Sequence, residues 1–132
     1  MTMELWTLLL ACAIGLVHMT SASFAFKAQV GNSYTVSARD EGIQPQGIAA
    51  RLSRAQANFN ETFPIFIACV FIVYATDASG DLSKWGCGLY LSGRIVFLPL
   101  YAFGVPWLRT FSWNIATLGL VLVGAAGIVR LE

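Results

Sequence analysis

Four runs of the chain are long and apolar enough to cross a lipid bilayer, and that constrains the fold more than any other feature. Leu5–Phe26 is 22 residues without a charge, and Thr110–Val129 is 20. Ala55–Thr76 is interrupted only by Glu61, and Trp85–Leu108 only by Arg94. A bilayer core takes about 20 helical residues to cross. Within it, backbone groups must bond inside their own segment or in a closed barrel. Runs this long without strict alternation mean helices. The expected architecture is all-α: one domain over residues 1–132, an integral membrane four-helix bundle with helices near 5–26, 55–76, 85–104 and 110–129.

Composition points the same way. Residues are 57% hydrophobic and only 11% charged, against about a quarter charged in a soluble domain. A soluble domain this small needs more polar residues to cover its surface. Eight Lys/Arg against seven Asp/Glu give a net charge of +1, so no basic field exists for a nucleic acid. Cys12, Cys69 and Cys87 are an odd set without CxxC spacing and read as small buried apolar side chains. His18, alone of its kind, reads as packing or an interhelical hydrogen bond. No metal site is expected. The first 26 residues resemble a secretory signal in length. The presence of Glu4, the absence of Lys or Arg before the run and the length of the run argue instead for a retained helix.

Polar linkers separate the runs at 27–50 and 77–84, and a tight turn is expected around Gly104–Arg109. Trp6, Tyr74, Trp85, Trp107 and Trp113 fall near helix ends, where amphipathic rings settle at the interface. Lys27, Arg39, Arg51, Arg54 and Arg109 lie on one side, Lys84 and Arg130 on the other. The positive-inside rule then places the first and third connections in the cytoplasm and both termini outside.

Glu61 and Arg94 each cost about 2.5–3.5 kcal/mol near a bilayer centre, so both should face the bundle interior. As a pair they read most simply as an interhelical ion pair. Their neighbours suggest more. Arg51, Arg54, Asn58 and Glu61 are spaced 3, 4 and 3 apart, and Tyr90, Arg94, Phe97 and Tyr101 are spaced 4, 3 and 4 apart. Each set shares one helix face. Arg109 follows in the turn. Guanidinium forks bind carboxylates and a carboxylate binds an ammonium, so the double stripe suits a zwitterionic, net-anionic peptide such as glutathione. Pro64 and Pro99 should kink their helices beside this site.

The stretch Arg51–Phe66 reads RLSRAQANFNETFPIF. It resembles the signature of the MAPEG family, the membrane-associated proteins in eicosanoid and glutathione metabolism, through Arg54, Ala55, Gln56, Asn58, Glu61 and Pro64. Tyr101–Arg109, YAFGVPWLR, is similar to the Y-x-x-G-x-P-x-x-R turn of bacterial members. The resemblance implies a homotrimer of four-helix subunits in a bacterial inner membrane. It implies glutathione, as co-substrate, bound between subunits by Arg54, Asn58, Glu61, Arg94 and Tyr101, with Arg51 as an extra contact. Arg109 would be the catalytic group that stabilises the thiolate. The activity implied is a glutathione transferase or peroxidase acting on a lipophilic electrophile or lipid hydroperoxide from the lipid bilayer. Two positions depart from the family: Thr62 where some members have Tyr, and Phe97 where several have Tyr or His. These departures keep a non-catalytic family member as an alternative. A small four-helix cation/proton transporter with one membrane Glu is a further one, opposed by the Arg residues around Glu61, which would repel cations.

Overall fold

All four expected helices form, and each starts or stops away from where the apolar runs alone place it. The computed structural model describes residues 1–131 and comprises α1 (Met3–Val36), α2 (Gly47–Ala75), α3 (Asp81–Ala102) and α4 (Pro106–Leu131). Among the described residues there is no strand. Three of the helices, α1, α2 and α4, are both long and apolar enough to cross a membrane. The expected fourth, α3, forms as well. Its 22 residues give roughly 33 Å of length, but Asp81, Ser83, Lys84 and Arg94 dilute its apolar character. Of these, Ser83 and Arg94 are buried inside the bundle, while Asp81 and Lys84 are exposed at its end.

The boundaries have physical causes. The segment after Phe26 was expected as linker, yet α1 continues to Val36, with a break at Gly31, where φ is +83°. The remaining connection is short and tied. Gln29 accepts from the Gln46 N–H at 2.8 Å and donates to the Gln44 carbonyl at 3.0 Å, and the Tyr34 hydroxyl accepts from the Ile43 N–H at 2.9 Å. At the start of α3, Ser83 Oγ accepts from the Gly80 N–H at 3.0 Å, which satisfies a donor the helix leaves free. Helix α4 opens on Pro106, a position where proline loses no hydrogen bond. Arg109, expected in the turn, therefore lies in the first turn of α4. Helices α2 and α3 run through Pro64 and Pro99.

The closest packing is between α3 and α4. A Cβ on Gly86 would lie 2.8 Å from the Gly119 carbonyl oxygen, and one on Gly93 2.8 Å from the Ala116 nitrogen. Small residues let the backbones touch, the usual source of helix association in lipid. The Ser112 hydroxyl donates to the Gly93 carbonyl at 2.6 Å inside this seam. Phe66 of α2 stacks on Tyr90 of α3 with centroids 4.0 Å apart, in a core with Ala11, Val70, Val73, Cys87, Ala116 and Val123. Cys87 is buried as expected, but Cys12 is exposed and Cys69 only half-buried. At the end opposite the α3–α4 turn, buried Glu4 accepts from Ser83 Oγ at 2.5 Å and Ser79 Oγ at 2.9 Å. That carboxylate ties the start of α1 to the start of α3.

Candidate functional site

Arg94 is 1% exposed. It reaches from α3 to α2, where Nη1 donates to Asn58 Oδ1 at 2.7 Å and Nη2 donates to Thr62 Oγ1 at 2.5 Å. Its Cζ lies 5.6 Å from the Tyr90 ring centroid and 5.4 Å from that of Phe97. Nε, also buried, has no partner among the described residues. The spacing of Asn58 and Thr62, one turn apart, presents both acceptors to the same guanidinium. These bonds go to neutral groups rather than to Glu61, which is exposed on α2. The simple ion-pair reading of Glu61 and Arg94 is thereby corrected: the register of α2 turns Asn58 and Thr62, not Glu61, toward α3.

One turn toward the α3–α4 connection, aromatic and basic groups gather around Tyr101. The Arg109 Cζ stands 4.6 Å from the Tyr101 ring centroid, and that of Arg54 stands 6.0 Å from it. Contacts of this kind are cation–π attractions. Asn58, Phe97, Tyr101, Arg109, Thr110 and Trp113 line a cavity of about 300 Å³. Three helices thus contribute: α2 through Asn58, α3 through Phe97 and Tyr101, α4 through the rest. The lining carries a guanidinium, an amide, hydroxyls and an indole but no carboxylate.

Of the residues expected at the site, Asn58, Tyr101 and Arg109 converge on this cavity. Arg94 stands behind Asn58, and Arg54 stands over the Tyr101 ring. Arg51 and Glu61 are absent from the lining. Arg51 instead donates from Nη1 to the Ala102 carbonyl at 3.0 Å. His18 is fully buried in α1, stacked on Phe59 at 4.7 Å, with Nδ1 donating to the Ile14 carbonyl at 2.9 Å.

Thr110 and Trp113 were not singled out for the site from sequence. The sequence places Trp113 at the membrane interface with four other aromatics. Trp6, Tyr74, Trp85 and Trp107 are indeed exposed, between 53% and 85%. Trp113 is half-buried, and its indole N–H is buried without a partner among the described residues. Its position four residues after Arg109 places both on one face of α4, and that spacing was the available signal.

The family model described as the MAPEG family matches residues 3–129 of the chain. No curated protein and no solved structure gives a significant match.

Proposed function

From the premise that the chain belongs to the MAPEG family and is an integral membrane protein, we propose that it is a glutathione-dependent transferase acting on lipophilic electrophiles, with reduction of lipid hydroperoxides as the related activity. The observation that supports this most is the convergence of Asn58, Tyr101 and Arg109 from three helices on one cavity without a carboxylate. Such a cavity favours an anion. Glutathione, with two carboxylates and an acidic thiol, meets that requirement.

Arg109 is assigned to the sulfur. A free thiol has a pKa of about 8.5, so only a few per cent is thiolate at neutral pH. A guanidinium beside it in a partly dry site favours the ionised form. A drop of two pKa units corresponds to about 2.7 kcal/mol and raises the thiolate fraction roughly 20-fold. The thiol proton leaves to solvent. The sulfur lone pair then forms a bond to the electrophilic carbon, and the leaving group departs with its bonding pair. Arg54 and the Asn58 amide N–H group are assigned to the peptide's carboxylates, Arg94 to holding Asn58 in place from behind, and Glu61 to the peptide's ammonium. A second reading, a glutathione-binding protein without catalysis, draws on Phe97, which brings an apolar ring into the cavity lining at a position where the resemblance to the family leads to Tyr or His.

Assembly as a homotrimer belongs to the same proposal. Arg54, Asn60 and Glu61 are exposed on α2. At bilayer depth a lone charge costs about 2.5–3.5 kcal/mol, so neighbouring copies cover this face and close the site. The basic loop side lies in the cytoplasm of a bacterial inner membrane and both termini lie outside, by the positive-inside rule.

The test is glutathione binding by calorimetry on the detergent-purified protein, followed by thioether formation with an aryl halide and disulfide formation with a lipid hydroperoxide. Saturable binding with either product supports the assignment. Binding without any product supports the non-catalytic reading, and no binding overturns both.

A further inference from the structure

The turn between α3 and α4 closes with a hydrogen-bond pattern that leaves one carbonyl over. Gly104 adopts φ +71°, the left-handed conformation that ends many helices. Its N–H donates to the Tyr101 carbonyl at 3.1 Å, and the Val105 N–H donates to the Leu100 carbonyl at 3.0 Å. That is a Schellman cap. The Phe103 N–H takes the Pro99 carbonyl at 3.0 Å. The carbonyl of Ala102 has no partner within this pattern, and an orphaned helix-end carbonyl needs one. Arg51 supplies it from α2, with Nη1 3.0 Å from the Ala102 oxygen.

The contact is shaped as well as bonded. A Cβ on Gly104 would stand 3.4 Å from Arg51 Nη1 and 3.7 Å from its Cζ, so the guanidinium lies against the bare face of the glycine. A cation at this end also opposes the negative pole of the α3 dipole. Tyr101 and Arg109 flank the turn, and the Arg109 Cζ stands 4.6 Å from the Tyr101 ring centroid. The relation between those two side chains depends on the path of residues 103–105 between them.

We infer that Arg51 is a positioning residue. It completes the C-terminal cap of α3 and thereby fixes Arg109 over Tyr101, instead of holding the ligand itself. The inference rests on the proposed role of Arg109 at the glutathione sulfur. It revises the expectation from the family resemblance that Arg51 is a glutathione contact. Arg51 is absent from the cavity lining to which Asn58, Tyr101 and Arg109 belong.

The experiment compares Arg51→Gln and Arg51→Lys with the wild-type protein in detergent. Amide exchange of the segment 100–106 should accelerate at least tenfold in Arg51→Gln and stay within threefold in Arg51→Lys, which keeps a donor and a charge. Thiolate formed per bound glutathione should fall at least tenfold in Arg51→Gln, with glutathione affinity within threefold of wild type. Lost affinity with an unchanged thiolate fraction would overturn the inference and make Arg51 a ligand contact. Unchanged exchange would overturn it too. Should the wild-type protein bind no glutathione, the functional reading fails, and the exchange measurement alone decides the role of Arg51. Gly104→Ala strains the same turn without altering Arg51 and should reproduce both changes. Wild-type exchange and thiolate formation in that variant would overturn the inference even if Arg51→Gln does not fold.

Discussion

A guanidinium held at 1% exposure by an amide and a hydroxyl carries a desolvation cost that neutral partners offset only in part. A residue kept at that cost serves something other than stability. Arg94→Met retains apolar bulk and removes the charge. The thermal midpoint of the variant should match or exceed that of wild type, while glutathione affinity falls at least tenfold, both measured on the same detergent sample. A lowered midpoint with unchanged affinity would make Arg94 a structural residue. Arg109 differs in kind, because its guanidinium faces Tyr101 and the cavity. Arg109→Ala should keep glutathione affinity within about threefold and lose about 100-fold in turnover, equivalent to about 2.7 kcal/mol of transition-state stabilisation. Steady-state rates beside calorimetric affinities would show this. Equal turnover in the variant would remove Arg109 from the chemistry.

At the scale of the helices, hydropathy revealed four elements because lipid enforces long helices, but it could not place their ends. Helix ends are decided by local chemistry: the positive φ at Gly31, Pro106 as an opening residue, and Ser83 satisfying the Gly80 amide. The polar stripes were legible from spacing, which is why Asn58, Arg94, Tyr101 and Arg109 were found together. Spacing gives a face and not its bearing on the neighbours, so Glu61 was expected inward and lies exposed, while Trp113 was expected at the interface and lines the cavity. The α3–α4 seam gives a test at this scale. Gly93→Ala drives a methyl against the backbone of Ala116 and Ser112 at 2.8–2.9 Å, and should destabilise by about 1–3 kcal/mol. At Gly88, where a Cβ would meet nothing within 4 Å, Ala should be neutral or stabilise by up to about 1 kcal/mol. Thermal midpoints of the two variants check the contrast. Equal effects would mean the seam is looser than described.

At the scale of the whole molecule, one copy leaves Arg54, Asn60 and Glu61 exposed on a membrane helix, a surface that lipid alone would not accept. The proposed assembly covers it, so native mass spectrometry from detergent should give three copies. Glu61→Ala should weaken glutathione binding, because an ammonium loses its counter-charge at the subunit boundary; unchanged affinity would remove Glu61 from the site. The most direct measurement is ultraviolet detection of thiolate as glutathione is added to the purified protein at neutral pH, beside Arg109→Ala. A saturable thiolate signal in the wild type that disappears in the variant is the expected result. A signal equal in both, or none in the wild type despite bound glutathione, would contradict activation of the sulfur by Arg109.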